Sequence, residues 1–198
     1  MSLYRLYKRW EERRRYRRWA ERGRSLPPPH VVKRVTVKDF AERFRTRILV
    51  ETGTYKGDMV RAALGSFDRI YTIELDAKLC AAARELFRSH PEVQILQGDS
   101  ACELPKVLAE LREPALFWLD GHYTGDHAGK AELHTPIERE LECLFAHPVK
   151  GHVILIDDAR LFNGQSDYPT IARLRELTQA HAPQLHFEVS DDTIRIYP

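Results

Sequence analysis

Five apolar runs of this chain each give way to acidic side chains. Glu51 ends the run Ile48-Leu49-Val50 and is followed by Gly53, Tyr55 and Gly57; Glu74 and Asp76 follow the second run and Asp99 and Ser100 the third. Asp120, Gly121 and His122 follow the fourth run, Asp157 and Asp158 the fifth. A glycine loop after a strand often cradles a pyrophosphate with backbone N–H groups at a helix N-terminus. "VETGTYKGD", Val50 to Asp58, departs from that pattern: it is not GxGxxG, and Glu51 would repel a diphosphate at close range. A ligand without phosphate and with positive charge suits these acids. S-adenosylmethionine, with its sulfonium and ammonium groups, is such a ligand. On this reading Gly53 and Gly57 let the backbone approach the ligand's amino-acid portion. Glu74 accepts from the sugar hydroxyls and Asp99 reaches the adenine amino group, with Ser100 and Asp120 beside them. Tyr55 either stacks over the cofactor or packs the loop.

The acids converge only if the strands that carry them run parallel. Strand-like runs are predicted at Arg47–Glu51, Arg69–Leu75, Val93–Gln97, Ala115–Leu119 and His152–Ile156, with helical stretches at Ala77–Ser89, Ala101–Arg112, Pro136–Ala146 and Thr170–Ala180. A further short helix, Val37–Phe44, precedes the first strand. "TPIE" predicts a helix start with Thr135 as N-cap, Pro136 at the first helical position and Glu138 as capping-box partner. "LHFEVSDDTIRIYP" contains two alternating strands around Asp191-Asp192, an antiparallel hairpin. The expected fold is a Rossmann-like, doubly wound α/β sheet of seven strands, five parallel plus a C-terminal antiparallel hairpin, with helices on both faces. In such sheets ligands lie beyond the carboxyl ends of the strands, where the acids are. Phe117 and Trp118 read as core.

With these motifs in hand, the chain resembles a known family. "VETGTYKGD", "YTIELD", "QGDS", "WLDGH" and "LIDDA" look like the successive motifs of class I S-adenosylmethionine-dependent methyltransferases over about Val37 to Pro198. Within that class the chain resembles the metal-dependent small-molecule O-methyltransferases of the catechol and macrolide-sugar types. The resemblance implies a magnesium ion held by Asp120, Asp157 and Asp158, and a small hydroxylated acceptor. Hard oxygen ligands with room for waters are what Mg²⁺ takes, and three crowded carboxylates repel one another without a cation. The alternative is that Asp157 caps a turn, Asp158 pairs with Arg160 and Asp120 acts on the cofactor side. The catechol type has a lysine base three residues after the metal aspartate; here Tyr123 stands there beside His122, so the base does not carry over. His122 is the candidate general base by its proximity to Asp120, with Tyr123 its rival and loop packing the third reading. A three-histidine zinc site from His122, His127 and His134 is disfavoured by their irregular spacing. "ARLFNGQSDYP" is long enough for a substrate lid hinged at Gly164, with Arg160 and Asn163 as contacts, or is a plain connection.

Composition bounds the rest. The chain has 198 residues, enough for one sizeable core, and lacks a run of 18 or more apolar residues. An arginine tract stands where a signal peptide would carry its apolar core, so a cytoplasmic protein is expected. Three widely spaced cysteines, Cys80, Cys102 and Cys143, argue for buried thiols rather than a disulfide framework. Residues 1–24 hold ten basic side chains against three acidic ones, a surplus of seven, which leaves −5 for the remainder of a chain whose net charge is +2. Residues 1–30 read as a basic helical arm and Pro-rich linker, "SLPPPH", and residues 31–198 as the methyltransferase domain. The arm, interleaved with Tyr4, Tyr7, Trp10, Tyr16 and Trp19, is either a solvated extension or a contact for nucleic acid or an acidic surface. Leu3, Leu6, Tyr7 and Trp10 form a short apolar stripe that Arg14 and Arg17 interrupt. Two readings compete with the small-molecule enzyme: a nucleic-acid-binding module or RNA methyltransferase that uses the arm, and an NAD-dependent oxidoreductase on the same fold.

Overall fold

The computed structural model describes residues 3–121 and 135–198. Its seven-stranded sheet comprises β1 (Ile48–Thr52), β2 (Arg69–Glu74), β3 (Val93–Gln97), β4 (Leu116–Leu119), β5 (Val153–Ile156), β6 (His186–Ser190) and β7 (Thr193–Tyr197). The strand order is β3-β2-β1-β4-β5-β7-β6. β1 to β5 are parallel, and β7 runs antiparallel between β5 and β6. The order reverses between β1 and β4, which opens a crevice at their carboxyl ends.

Alternation along each central strand divides the core into two layers. Val50, Tyr71, Ile73, Phe117, Leu119, Ile154, Ile156, Ile194 and Ile196 face α5 (Ser100–Glu110), α6 (Ile137–Ala146) and α7 (Ile171–His181). Leu49, Ile70, Leu116, Trp118, Val153 and Leu155 face α2 (His30–Phe44), α3 (Asp58–Ala63) and α4 (Ala77–Leu86). Phe117 and Trp118 are buried as the sequence predicts. Period-2 burial on both faces is what a parallel sheet covered on both sides requires.

Several local expectations are corrected. The helix before β1 begins at His30, directly after three prolines, not at Val37. Its first turns bury Val31, Val32 and Val35 against Trp19 of α1 (Leu3–Glu21). α6 begins at Ile137; Thr135 Oγ1 accepts from Ile137 N at 3.4 Å, and Glu138 reaches Arg173 Nε at 2.9 Å instead of closing a capping box. Of the three cysteines only Cys80 is buried, while Cys102 is exposed. The arm docks through ion pairs of Arg9 with Glu42, Arg13 with Asp39 and Lys38 with Glu12. No helix among the described residues is long and apolar enough to cross a membrane.

Candidate cofactor and metal site

The tips of β1, β2 and β3 bring their acids to one rim. Glu51 lies opposite Thr72 in the β1–β2 register and accepts its hydroxyl at 2.5 Å. That hydroxyl also meets Thr54 Oγ1 at 2.6 Å. Burial pushes the Glu51 carboxyl up to about 8, the charges of Glu74 and Asp58 add to this, and the Thr72 hydroxyl opposes it. A cation arriving here would favour the carboxylate and release its proton. Glu74 ends β2 and accepts from Tyr55 N at 2.7 Å and Asp76 N at 2.9 Å, which fixes it at the loop. Asp76 caps α4, accepting from Lys78 N and Leu79 N. Asp99 caps α5 with one oxygen, accepting from Ala101 N at 2.9 Å, and Ser100 is buried at the first position of that helix. Tyr55 is 61% exposed with a positive φ, presenting its ring beside the rim.

The two loop glycines answer to protein neighbours. A Cβ on Gly53 would stand 2.4 Å from the Asp120 carbonyl oxygen, and one on Gly57 would stand 2.6 Å from the Phe87 ring. Gly53 thereby lets the loop after β1 close on the loop after β4. Gly121 rests over Thr52 and Ser100. Beneath them lies Glu140 of α6, fully buried; burial pushes its carboxyl up to about 7, against the pull of the Ser100 and Thr52 hydroxyls. Glu140 Oε1 and Thr52 Oγ1 form no well-aligned hydrogen bond among the described residues.

Pairing of Leu119 with Ile156 sets Asp120 beside Asp157. One ligand oxygen from each of Asp120, Asp157 and Asp158 lies within 4.8 Å of the others, so the three predicted metal ligands do converge. A fourth member comes from outside these strands. Lys33 of α2 pairs with Asp157 Oδ2 and with Asp158 Oδ1, the latter at 3.0 Å, and its side chain is 13% exposed. Arg160 Nη1 reaches the same Asp158 oxygen at 2.9 Å and also pairs with Asp192. Burial and the Asp157 charge hold Asp120 well above the usual carboxylate range, with Lys33 opposing. Asp157 is pushed up to about 6 by burial, against Lys33. Asp158 falls below its ordinary value because Lys33 and Arg160 outweigh its burial.

Tyr168 also faces the cluster, its phenol raised by burial and by the charges of Asp158 and Asp120. It belongs to the connection after β5, which an Asn163–Thr170 bridge closes and which packs Phe162 against Tyr168 with ring centroids 5.4 Å apart. Arg160 is occupied by the two aspartates, and Asn163 Oδ1 accepts from Gln165 N. His122, with Tyr123, His127 and His134, lies outside the described residues. A shallow cavity of about 340 Å³ lined by Arg47, Asp68, Arg69 and Glu110 sits at the amino-terminal ends of β1 and β2, opposite the acidic rim.

The chain matches no protein-family pattern and no curated protein by sequence. Solved structures are similar to it in fold. TomG of Streptomyces achromogenes, an O-methyltransferase involved in tomaymycin synthesis and solved in complex with SAM, aligns at a TM-score of 0.61 and 16% identity, over 96% of this chain and 87% of that one. An O-methyltransferase from Bacillus cereus in complex with SAH aligns at 0.59 and 16% identity, over 94% and 90%. The SAH-bound methyltransferase PaMTH1 of Podospora anserina aligns at 0.59 and 17% identity, over 97% and 86%. Agreement over nearly the whole length of each, at such low identity, is agreement of fold: the chain has the fold of the class I S-adenosylmethionine-dependent methyltransferases.

Proposed function

We propose that this protein is an S-adenosylmethionine-dependent methyltransferase that methylates an oxygen of a small hydroxylated substrate with the help of Mg²⁺, in the cytoplasm. The observation that carries the reading is the row of carboxylates on successive tips, Glu51, Glu74, Asp99 and Asp120, flanking the β1/β4 crevice of a fold shared with SAM- and SAH-bound enzymes. Acids on these tips, Glu51 as it ionises, attract a sulfonium and an ammonium group and disfavour a dinucleotide's phosphates, which favours this reading over the NAD-dependent alternative.

In this reading Glu74 accepts from the ribose hydroxyls, the free oxygen of Asp99 accepts from the adenine amino group, and Ser100 bounds the base. Gly53, Gly57 and Tyr55 shape the loop around the ligand's amino-acid end, and Glu51 turns into a carboxylate as positive charge arrives. Asp120, Asp157 and Asp158 fit magnesium by donor type and spacing. When bound there the ion would supply Lewis-acid activation of the acceptor hydroxyl. Tyr168 remains protonated and donates to the acceptor oxygen. His122 takes the hydroxyl proton as the O–C bond forms and the C–S bond breaks, and neutral S-adenosylhomocysteine leaves.

Thermal unfolding with S-adenosylhomocysteine or NAD(H) tests the core of this reading. Saturation at about a hundred times Kd stabilises by about 2.7 kcal/mol, a rise of roughly 5–10 °C in Tm for a domain of this size. We expect that rise with S-adenosylhomocysteine alone; a rise with NAD(H) instead would overturn the assignment.

A second reading has one observation in its favour. Arg14, Arg17 and Arg18 of α1 and Arg22 just after it are exposed, with the Arg14 guanidinium over the Trp10 ring at 5.5 Å, whereas Arg9, Arg13 and Arg24 are held in ion pairs. Such a face suits a polyanion, and an RNA acceptor would then be carried by the arm.

A further inference from the structure

Lys33 is the charge that the metal reading did not anticipate, and its placement follows from the helix that carries it. On α2, Val37, Phe40 and Ala41 pack on the sheet, and Phe44 meets Tyr197 at the far end of the same helix, with ring centroids 5.4 Å apart. Lys33 lies one turn before Val37 on the sheet-facing stripe, so it extends past the strand tips to the acids. The backbone that delivers it is fixed by buried Val31, Val32 and Val35 and by Trp19. Its ammonium contacts Asp157 Oδ2 and Asp158 Oδ1, two of the three groups that would ligate a divalent ion. Asp157 is fully buried, and its other oxygen accepts from Asp158 N at 2.8 Å. An ammonium and a divalent cation on the same oxygens would repel each other strongly at such separations.

We propose that Lys33 is the resident cation of the aspartate cluster, and that its ammonium and a divalent metal ion are alternative occupants of it. The inference rests on the magnesium reading above. Asp120, Asp157 and Asp158 are stable together without metal because Lys33, with Arg160 at the outer edge, offsets their charge. Metal entry requires the Lys33 side chain to swing out on its four-carbon stem while α2 stays in place. The apparent metal affinity of the native protein is therefore weakened by the ammonium that must leave.

Binding of Mn²⁺ to the full chain, saturated with S-adenosylhomocysteine and followed through the EPR signal of free Mn²⁺, tests this. Lys33→Met is expected to bind Mn²⁺ at least tenfold more tightly than wild type, and Lys33→Arg no more tightly. The Tm of Lys33→Met should also rise further on adding Mn²⁺ than that of wild type. Lys33→Gln, which keeps a hydrogen-bond donor, is measured alongside, so that a folding defect of the methionine variant does not decide the matter. Equal affinity in wild type and the neutral variants would overturn the alternation while leaving the metal site intact. No Mn²⁺ binding by any variant would remove the metal reading and the alternation with it, while the cofactor assignment would still stand on its own thermal-shift result.

Discussion

Glu140 has no counterpart in the sequence reading, yet it holds the most exacting position beneath the crevice. Its carboxyl is fully buried, and its ordinary value of 4.5 is raised to about 7 by desolvation. A raised folded value means that the fold binds the proton more tightly than the open chain does. The associated stability is complete below about pH 4.5 and is lost as pH climbs through 7. Glu140→Gln removes this dependence, so between pH 5 and pH 8 wild type should lose roughly 2.5 kcal/mol relative to the variant. Urea unfolding of both proteins at the two pH values checks it; parallel curves would mean that the acid is solvated or paired. Motif and position made Glu51, Glu74, Asp99, Asp120, Asp157 and Asp158 legible in the sequence, because each stands within a few residues of the end of an apolar run. Lys33, Tyr168 and Glu140 were not legible. Each reaches the rim from a neighbouring helix or connection, and Lys33 stands 124 positions from Asp157. The available clue was a lone charge in register with Val37 and Phe40 on an otherwise apolar helical stripe.

Among the elements, all seven strands and the helices α4, α5, α6 and α7 lie close to where periodicity predicts them. The exception is α2, whose opening "HVVKRVTV" is rich in β-branched residues that disfavour a helix intrinsically. Burial of Val31, Val32 and Val35 against Trp19 overrides that preference. α1 is consequently no detached arm: Trp19 is buried, donates from Nε1 to Ser25 O at 3.0 Å, and lies tilted against Tyr16 with ring centroids 5.8 Å apart. Trp19→Ala should cost about 3 kcal/mol, within the range for large aromatic truncations in a core. It should also loosen the first turns of α2, seen as faster amide exchange at Val31 to Val35. A loss below 1 kcal/mol would mean that α1 contributes little to holding α2.

For the molecule as a whole, charge is divided between two surfaces. The acidic rim faces the crevice, and Arg14, Arg17 and Arg18 of α1, with Arg22 just after it, are exposed elsewhere. Replacing these four by Gln leaves the docking pairs of Arg9, Arg13 and Arg24 in place. If the arm holds RNA, the change should abolish retention on an RNA pool and flatten its salt dependence by about four units of slope or fewer, without altering S-adenosylhomocysteine binding. Unchanged retention would remove the RNA reading and leave the small-molecule acceptor.

The terminal hairpin bears on how the molecule is made. Tyr16 donates to Asp191 Oδ2 at 2.8 Å and Arg24 to Asp191 Oδ1 at 2.6 Å, across 175 and 167 positions. Asp191 therefore fastens α1 and the turn after it to the β6–β7 hairpin. During synthesis this basic segment leaves the ribosome long before Asp191 exists, and contacts of such large sequence separation form late and slowly. For the whole of that interval Arg24 lacks its carboxylate partner, and α1 rests on α2 through the pairs of Arg9 with Glu42 and Arg13 with Asp39 and through the packing of Trp19.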